Sequence, residues 1–290
     1  MLSMPSPADV SIRTMTTADI PAGLALCRAA RWNQTPNDWQ FFLNIAPAGA
    51  LVAEAGGVVI GTVATVPYGA FTWISMVLVD PGSRGRGVGR LLLERGLALV
   101  PDDVTARLDA TPAGEPLYRT LGFAGEHGLA RWFIDAASHA GALAQAGYGR
   151  PLSRGDWPHI LQMDRHVFGA SRQPLLERMA ADAPEYACAL DTNGRIRAYL
   201  FGRHGHVRDQ LGPLVADTRE SAQLLLHSCL AAHPDRNFFI DAPDRADGWG
   251  DVLSTLGFAI ERPFLRMRRG SLAAAENPAV VYAVTGPEFG

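Results

Sequence analysis

The run Val77-Leu78-Val79-Asp80-Pro81-Gly82-Ser83-Arg84-Gly85-Arg86-Gly87-Val88-Gly89-Arg90, leading into Leu91-Leu92-Leu93, constrains this chain more than any other segment. An apolar strand ends at a Pro-Gly turn, glycines alternate with other residues, and an amphipathic helix begins on the last of them. Val88, Leu91, Leu92, Arg95 and Leu99 keep helical spacing, so one face of that helix is largely apolar. Glycines at alternate positions leave backbone N–H groups uncovered where the helix dipole places partial positive charge. Arg84, Arg86 and Arg90 add full charges. The segment is a site for a polyanion, above all a pyrophosphate.

Two common phosphate carriers do not fit. A P-loop requires Lys and Ser/Thr after its last glycine, where this chain has Arg90 and Leu91. The dinucleotide fingerprint requires a third glycine at position 90 and follows the first strand of a βαβ unit, whereas this turn follows a fourth strand. The pattern Arg84-x-x-Gly87-x-Gly89, after a strand ending Val-Asp-Pro, resembles the acyl-CoA signature of the GNAT N-acetyltransferases. A second stretch, Leu117-Tyr118-Arg119-Thr120-Leu121-Gly122-Phe123, is similar to the family's segment with Leu-Tyr ahead of Gly-Phe, and it follows the glycine loop at the right distance.

The order of elements agrees with that resemblance. Short strands fall at Ile12–Thr14 and Trp73–Val79, and helices run from Asp19 to Arg31, capped by Thr17, and again after Pro36. Leu51–Glu54 and Val58–Val66 read as a hairpin about Gly56-Gly57, Val104–Leu108 as a strand, and Pro116–Leu121 as a helix. Gly122-Phe123 opens a final hairpin through Ile134. Residues 137–146 are small and poorly patterned, as in a linker, and beyond them the first half recurs. Thr17-Ala18-Asp19-Ile20-Pro21 matches Arg154-Gly155-Asp156-Trp157-Pro158, Leu108-Asp109-Ala110 matches Ile240-Asp241-Ala242, and Thr120-Leu121-Gly122-Phe123 matches Thr255-Leu256-Gly257-Phe258. The second copy lacks the chemistry: Leu214–Ala222 has no glycine in the loop position, and Leu253 stands where Tyr118 does. The expected architecture is an α/β (α+β, mixed-sheet) chain of two tandem GNAT-like domains, residues 1–142 with the acyl-CoA loop and residues 143–290 degenerate. Within the superfamily it resembles tandem acetyltransferases that carry Trp32-Asn33-Gln34-Thr35 and Gly286-Pro287-Glu288. The Val280–Val284 run has strand propensity and is expected to pair with a sheet edge elsewhere.

Composition narrows the partners. A net charge of −3 argues against nucleic acid. Three cysteines without CxxC spacing, and no cluster with zinc-like spacing, point to neither a disulfide framework nor a metal. No signal peptide or transmembrane run is read from the sequence, so a cytoplasmic protein with no membrane partner is expected. A homodimer is compatible with the sequence.

The resemblance implies an N-acetyltransferase (acyltransferase) that uses acetyl-CoA as co-substrate and transfers its acetyl group directly to a primary amine. The backbone of Val77, Leu78 and Val79 would pair with pantetheine amides, and Gly85, Arg86, Gly87, Val88, Gly89 and Arg90, with Arg84, would hold the pyrophosphate. Tyr118 would protonate the departing thiolate. Asp109, at the end of a strand beside the acyl group, is the best single carboxylate for a general base, unless it only caps the next turn; Glu115 and Glu54 are weaker candidates. Trp32, Asn33, Gln34, Asp38 and Trp39 lie on the connection where such enzymes build specificity, and two tryptophans beside an acid suit an alkylammonium. Packing accounts equally well for at least one tryptophan. The expected acceptor is a small-molecule amine, with a protein N-terminus as the other candidate. The rival reading is a catalytically idle acyl-CoA sensor whose second domain recognises a partner.

Overall fold

The computed structural model describes residues 10–139, 149–271 and 277–290. The expectations for the extreme N-terminus and for most of the 137–146 linker lie outside these residues. The first copy runs β1 (Val10–Thr14), α1 (Ile20–Ala29), α2 (Pro36–Ile45), β2 (Ala50–Ala55), β3 (Val58–Pro67), β4 (Phe71–Val79), α3 (Val88–Leu97), β5 (Thr105–Ala110), α4 (Glu115–Thr120) and β6 (Ala124–Ile134). A short helix α5 (Ala136–His139) follows. The second copy repeats the order as β7 (Arg150–Pro151), α6 (Trp157–Phe168), α7 (Gln173–Asp182), β8 (Cys188–Thr192), β9 (Arg195–Arg203), β10 (Asp209–Ala216), α8 (Arg219–Ala232), β11 (Phe238–Pro243), α9 (Trp249–Thr255) and β12 (Ala259–Arg269), with β13 (Val281–Ala283) added.

Local chemistry repeats as well. Asp19 closes a capping box on Thr16, not on Thr17 as expected, and accepts from Arg13, which also reaches Glu54. Asp156 does the same on Ser153, with Arg150 bridging to Asp191. Glu54 therefore has a structural counterpart in the half without catalytic motifs, and its role is to tie β1 to β2.

The strands form one continuous sheet, ordered β1-β2-β3-β4-β5-β12-β6-β11-β10-β9-β8-β7. The last strand of each copy has crossed into the other. β12 lies against β5 of the first copy, and β6 lies against β11 of the second, with β6 and β12 paired to each other over most of their length. The expected hairpin from Gly122 to Ile134 is thus a single strand whose neighbours both come from the second copy. Both long strands are paired on each side, so neither leaves an open edge. Two buried ion pairs mark the crossing, Arg266 with Asp109 and Arg131 with Asp241, each between residues in cross-strand register.

Each copy contains one parallel pair that holds at one end only. β4 pairs with β5 at Phe71–Trp73, and β10 pairs with β11 at Asp209–Leu211; beyond these residues the strands part. In the second copy the wedge is filled. β13 pairs with β10, and Val284 bridges to Asp241 on β11. The 280–284 run therefore enters the interior of its own half instead of a distant edge. Among the described residues no strand enters the wedge of the first copy.

From β13 the chain continues into the first copy's core. Trp73 Nε1 donates to the Pro287 carbonyl and the Tyr68 hydroxyl to the Phe289 carbonyl, both at 2.9 Å, while the Phe289 ring stacks on Phe42. A hydrophobic core shared by α1 and α2 of one copy and α6 and α7 of the other closes the far side of the sheet.

Candidate active site

The loop before α3 is built for close approach to its backbone. Asp80 turns the chain by accepting from the Gly82 N–H at 2.9 Å, and Arg84 Nε returns to the Val79 carbonyl at 3.0 Å. Gly85 and Gly87 sit at φ +74° and +81°, a conformation other L-residues take only with strain, and Gly87 is the N-cap of α3. A Cβ built on either would meet nothing within 4 Å, so the space in front of these amides is open. Gly89, half-buried, packs toward Val79 and Leu117. Arg84 and Arg90 are exposed, Arg90 also holding Glu94 at 2.8 Å, and Arg86 is half-buried. Uncovered amides at a helix N-terminus, ringed by three arginines, fit a pyrophosphate.

The strand leading to the loop carries a bulge. β3 pairs Thr62 with Leu78 and Ala64 with Ser75, so Met76 and Val77 together oppose Val63. Met76 is buried at φ +53°, held by a 2.7 Å bond from the Thr62 hydroxyl to its carbonyl. A bulge at this point re-aims the backbone. Ile74, Ser75, Met76 and Val77 consequently face a cleft inside the open wedge, while Leu78 is packed into the core and Val79 leads into the glycine loop.

Tyr118 forms the wall of that cleft on the α4 side. Its ring packs edge-on to Phe123 and lies so close to Gly114 that a Cβ there would stand 2.9 Å from the ring. Burial pushes the phenol up to about 12, so it is protonated at neutral pH and can donate. Asp109 also lines the cleft, yet both its oxygens accept from Arg266, at 2.8 and 2.9 Å. Both oxygens of the carboxylate are thus occupied by a buried, planar guanidinium. The structure thus places Asp109, the carboxylate expected as general base, on the cleft wall within a bidentate ion pair. Glu115 is engaged by Arg119 at 2.7 Å on the helix surface.

Of the five residues expected to bind substrate, Trp32 and Gln34 line the cleft. Asn33 instead holds the β9–β10 loop, donating to the Arg208 carbonyl and accepting from the Val207 N–H. Asp38 caps α2 and meets Arg203 at 3.1 Å. Trp39 is fully buried in the core against Gly23. The paired-tryptophan cage does not form, because the residues of α2 face inward at helical spacing. Cys27 is likewise buried, its thiol pushed up to about 12 by burial.

The rest of the wall comes from elements whose place sequence reading missed. Arg131 of β6, Arg262 and Phe264 of β12, and Pro287 and Glu288 of the C-terminal segment complete the cleft. Glu288 is buried and paired with Arg203. The Gly286-Pro287-Glu288 motif was the available signal, but its function appears only once the tail is traced into the other copy. The second copy shows the converse. Its loop holds Thr218, whose hydroxyl caps α8 by accepting from the Ser221 N–H, and Leu253 is fully buried.

Two matching wedges, one open beneath a glycine-lined helix N-terminus and one plugged by β13, define a duplicated fold of the acyltransferase class. Comparison with known proteins agrees. A model of the "Acetyltransferase (GNAT) family" matches residues 22–123 and one of an "Acetyltransferase (GNAT) domain" matches residues 160–283. The chain belongs to the GNAT superfamily, as a tandem protein with two GNAT domains. An uncharacterized N-acetyltransferase of Bacillus subtilis, YitH, is 23% identical over 205 residues, 71% of this chain and 72% of its own. A candidate acetyltransferase from Pyrococcus horikoshii shares the fold over 100% of this chain and 99% of its own, with a TM-score of 0.82 at 21% identity. A tandem GNAT protein from the clavulanic acid biosynthesis pathway gives 0.62 at 16% identity, over 92% and 99% of the two chains. Among the described residues no helix is long and apolar enough to cross a membrane, and no group of three His, Cys, Asp or Glu could hold a metal ion.

Proposed function

We propose that this protein transfers the acetyl group of acetyl-CoA to the primary amine of a small molecule, using the first copy's wedge alone. The observation that carries this reading is the succession of three features along β4 and the loop after it: the β4–β5 splay, the cleft lined by Ser75–Val77 and the protonated Tyr118, and the open approach to Gly85 and Gly87 just beyond Val79. Bound acetyl-CoA supplies an activated thioester. The Gly85–Arg90 amides, with Arg84, Arg86 and Arg90, hold the pyrophosphate, and the unpaired side of Val77–Val79 offers backbone groups to the pantetheine arm. The β4 bulge at Met76 aims a backbone N–H toward the acyl carbonyl, polarising it.

As the amine nitrogen bonds to the acyl carbon and the carbon–sulfur bond breaks, Tyr118 gives its hydroxyl proton to the sulfur. The two carboxylates of the wall, Asp109 and Glu288, are each engaged by an arginine, so the amine gives its protons to solvent water, and the Tyr118 phenolate regains one proton from solvent after the thiol leaves. Thiol release from acetyl-CoA, measured against a panel of amines, tests the proposal. Turnover should appear in the wild type and vanish in Gly87→Asp, whose side chain would cover the amides and add like charge. No thiol release with any amine, despite donor binding, would return the chain to the idle sensor.

A further inference from the structure

Building on the N-acetyltransferase reading, we propose that the acceptor is an amine bearing a carboxylate, whose anionic end is held by Arg262 of β12. Four charged side chains line the cleft: Asp109, Arg131, Arg262 and Glu288. Three of them are engaged by partners outside the cleft lining, Asp109 by Arg266, Arg131 by Asp241, and Glu288 by Arg203, a guanidinium that Asp38 also holds at 3.1 Å. Arg262 is the exception. The carboxylate paired with it, its neighbour Glu261, lies 3.9 Å away, beyond hydrogen-bonding range, and its Nε is buried without a partner. Arg262 therefore brings to the cleft a guanidinium whose Nε donor no protein group fills.

The backbone places that charge deliberately. β12 breaks register between Ile260 and Arg262, and the break sets Arg262 directly opposite Arg131 on β6. Arg131 is engaged by its bidentate pair with Asp241, so it does not offer that fork to a ligand. Arg262 lies over the Phe264 ring at 5.2 Å, which fixes the plane of its guanidinium. Burial, and secondarily the charge of Arg131, hold its pKa below the usual arginine range, though a guanidinium stays cationic. A planar, oriented guanidinium is the natural partner of a carboxylate, which fills two donors at once. The buried Nε–H, which has no acceptor in the protein, gains one when such an anion arrives.

Two further buried atoms on the same wall are also without partners, Gln34 Oε1 and Ser75 Oγ. Each can accept from an amine N–H, which separates the ligand's two ends: nitrogen toward β4 and Gln34, carboxylate toward β12. A plain alkylamine would leave Arg262 unsatisfied, and a carboxylate-bearing one would not.

The test uses the full chain with L-alanine, β-alanine and γ-aminobutyrate, each beside its primary amide, and with aminomethylphosphonate as a phosphorus counterpart. Turnover is followed by thiol release and binding by calorimetry in the presence of CoA. At least one acid should exceed its amide in kcat/KM and in affinity. Arg262→Gln should raise KM for that acid by about 10- to 100-fold more than for its amide, with the loss falling on KM more than on kcat, and so remove the preference. Arg262→Lys should recover part of it, and unchanged melting temperatures in both variants exclude a structural cause. Amides that bind and react as well as their acids would overturn the proposal while leaving the N-acetyltransferase intact, as would a failure of every acid to bind. A preference for the phosphonate over all acids would also overturn it. Acids that bind through Arg262 without any thiol release would uphold the proposal and sink the catalytic reading instead.

Discussion

Asp109 on β5 and Arg266 on β12 are joined by two hydrogen bonds, at 2.8 and 2.9 Å, across 157 residues of sequence. Asp241 on β11 and Arg131 on β6 form the matching pair, both contacts at 2.8 Å. The acid of each copy is thus satisfied by the arginine of the other, and both pairs sit in register beside the cleft. One consequence concerns fold and the other chemistry. The two halves cannot part without leaving four buried charges alone, and both oxygens of the strand-end aspartate are occupied.

Asp109→Asn should therefore keep measurable turnover with an unaltered pH–rate profile, whereas loss of a general base would abolish the acidic limb. The same substitution leaves Arg266 unbalanced and should destabilise the chain by about 3–5 kcal/mol, because breaking one side of a buried pair costs far more than removing both. A double-mutant cycle with Arg266→Met, read by urea unfolding, should show strong coupling. Additive losses would show that the pair is incidental.

Tyr118→Phe should leave CoA affinity unchanged and lower kcat by about 10²-fold or more, since general-acid help is lost while the ring's packing against Phe123 remains. The phenol, raised by burial to about 12 against about 10 in an unfolded chain, binds its proton more tightly when folded. Its contribution to stability is accordingly complete below pH about 10 and is lost as the pH climbs toward 12. The stability difference between wild type and Tyr118→Phe, measured by urea unfolding from pH 8 upward, should shift against the wild type over that window. Equal turnover in the two proteins would reduce Tyr118 to a packing residue.

Gly87 and Gly85 separate conformational from electrostatic effects. With φ positive and nothing near the missing Cβ, Gly87→Ala should cost about 1–2 kcal/mol of stability and weaken CoA only modestly. Gly87→Asp should abolish CoA binding by calorimetry with a similar loss of stability. An aspartate variant that still bound CoA at wild-type affinity would remove the loop from the donor site.

The loop, Tyr118 and the duplication were legible because each is local: a few consecutive residues prescribe a turn, a helix start or a match to a second copy. The strand exchange was not. β6 and β12 have similar alternation, and a strand next to β5 satisfies the same inward positions whichever copy supplies it. Only Arg266 facing Asp109 discloses the choice, and that is visible after folding. The same limit explains the tryptophans. Trp32 and Trp39 are both near an acid in sequence, but Trp39 falls on the buried face of α2 and Trp32 on the rim of the cleft. The bulge at Met76, set by pairing to β3, leaves no mark in composition at all.

The dependence of the first copy on the second gives the last prediction. A fragment of residues 1–142 would lack β12, and with it the partner of β5, the charge balancing Asp109, and Arg262 and Phe264 of the cleft wall. β6 would lose the neighbours on both of its sides, leaving unpaired backbone on a strand rich in apolar residues, the condition that favours aggregation. The fragment should be insoluble or molten by circular dichroism and calorimetry, and inactive. A chain ending at Ser271 is the milder test. It keeps both exchanged strands but removes β13, Pro287, Glu288 and the Phe289 anchor against Phe42. This truncation should fold with lowered stability, retain CoA binding at the intact glycine loop, and raise the KM for the amine, because the tail contributes to the acceptor end of the cleft and not to the donor end. A soluble 1–142 fragment with full amine-acetylating activity would show that the second copy is dispensable and the composite site unnecessary.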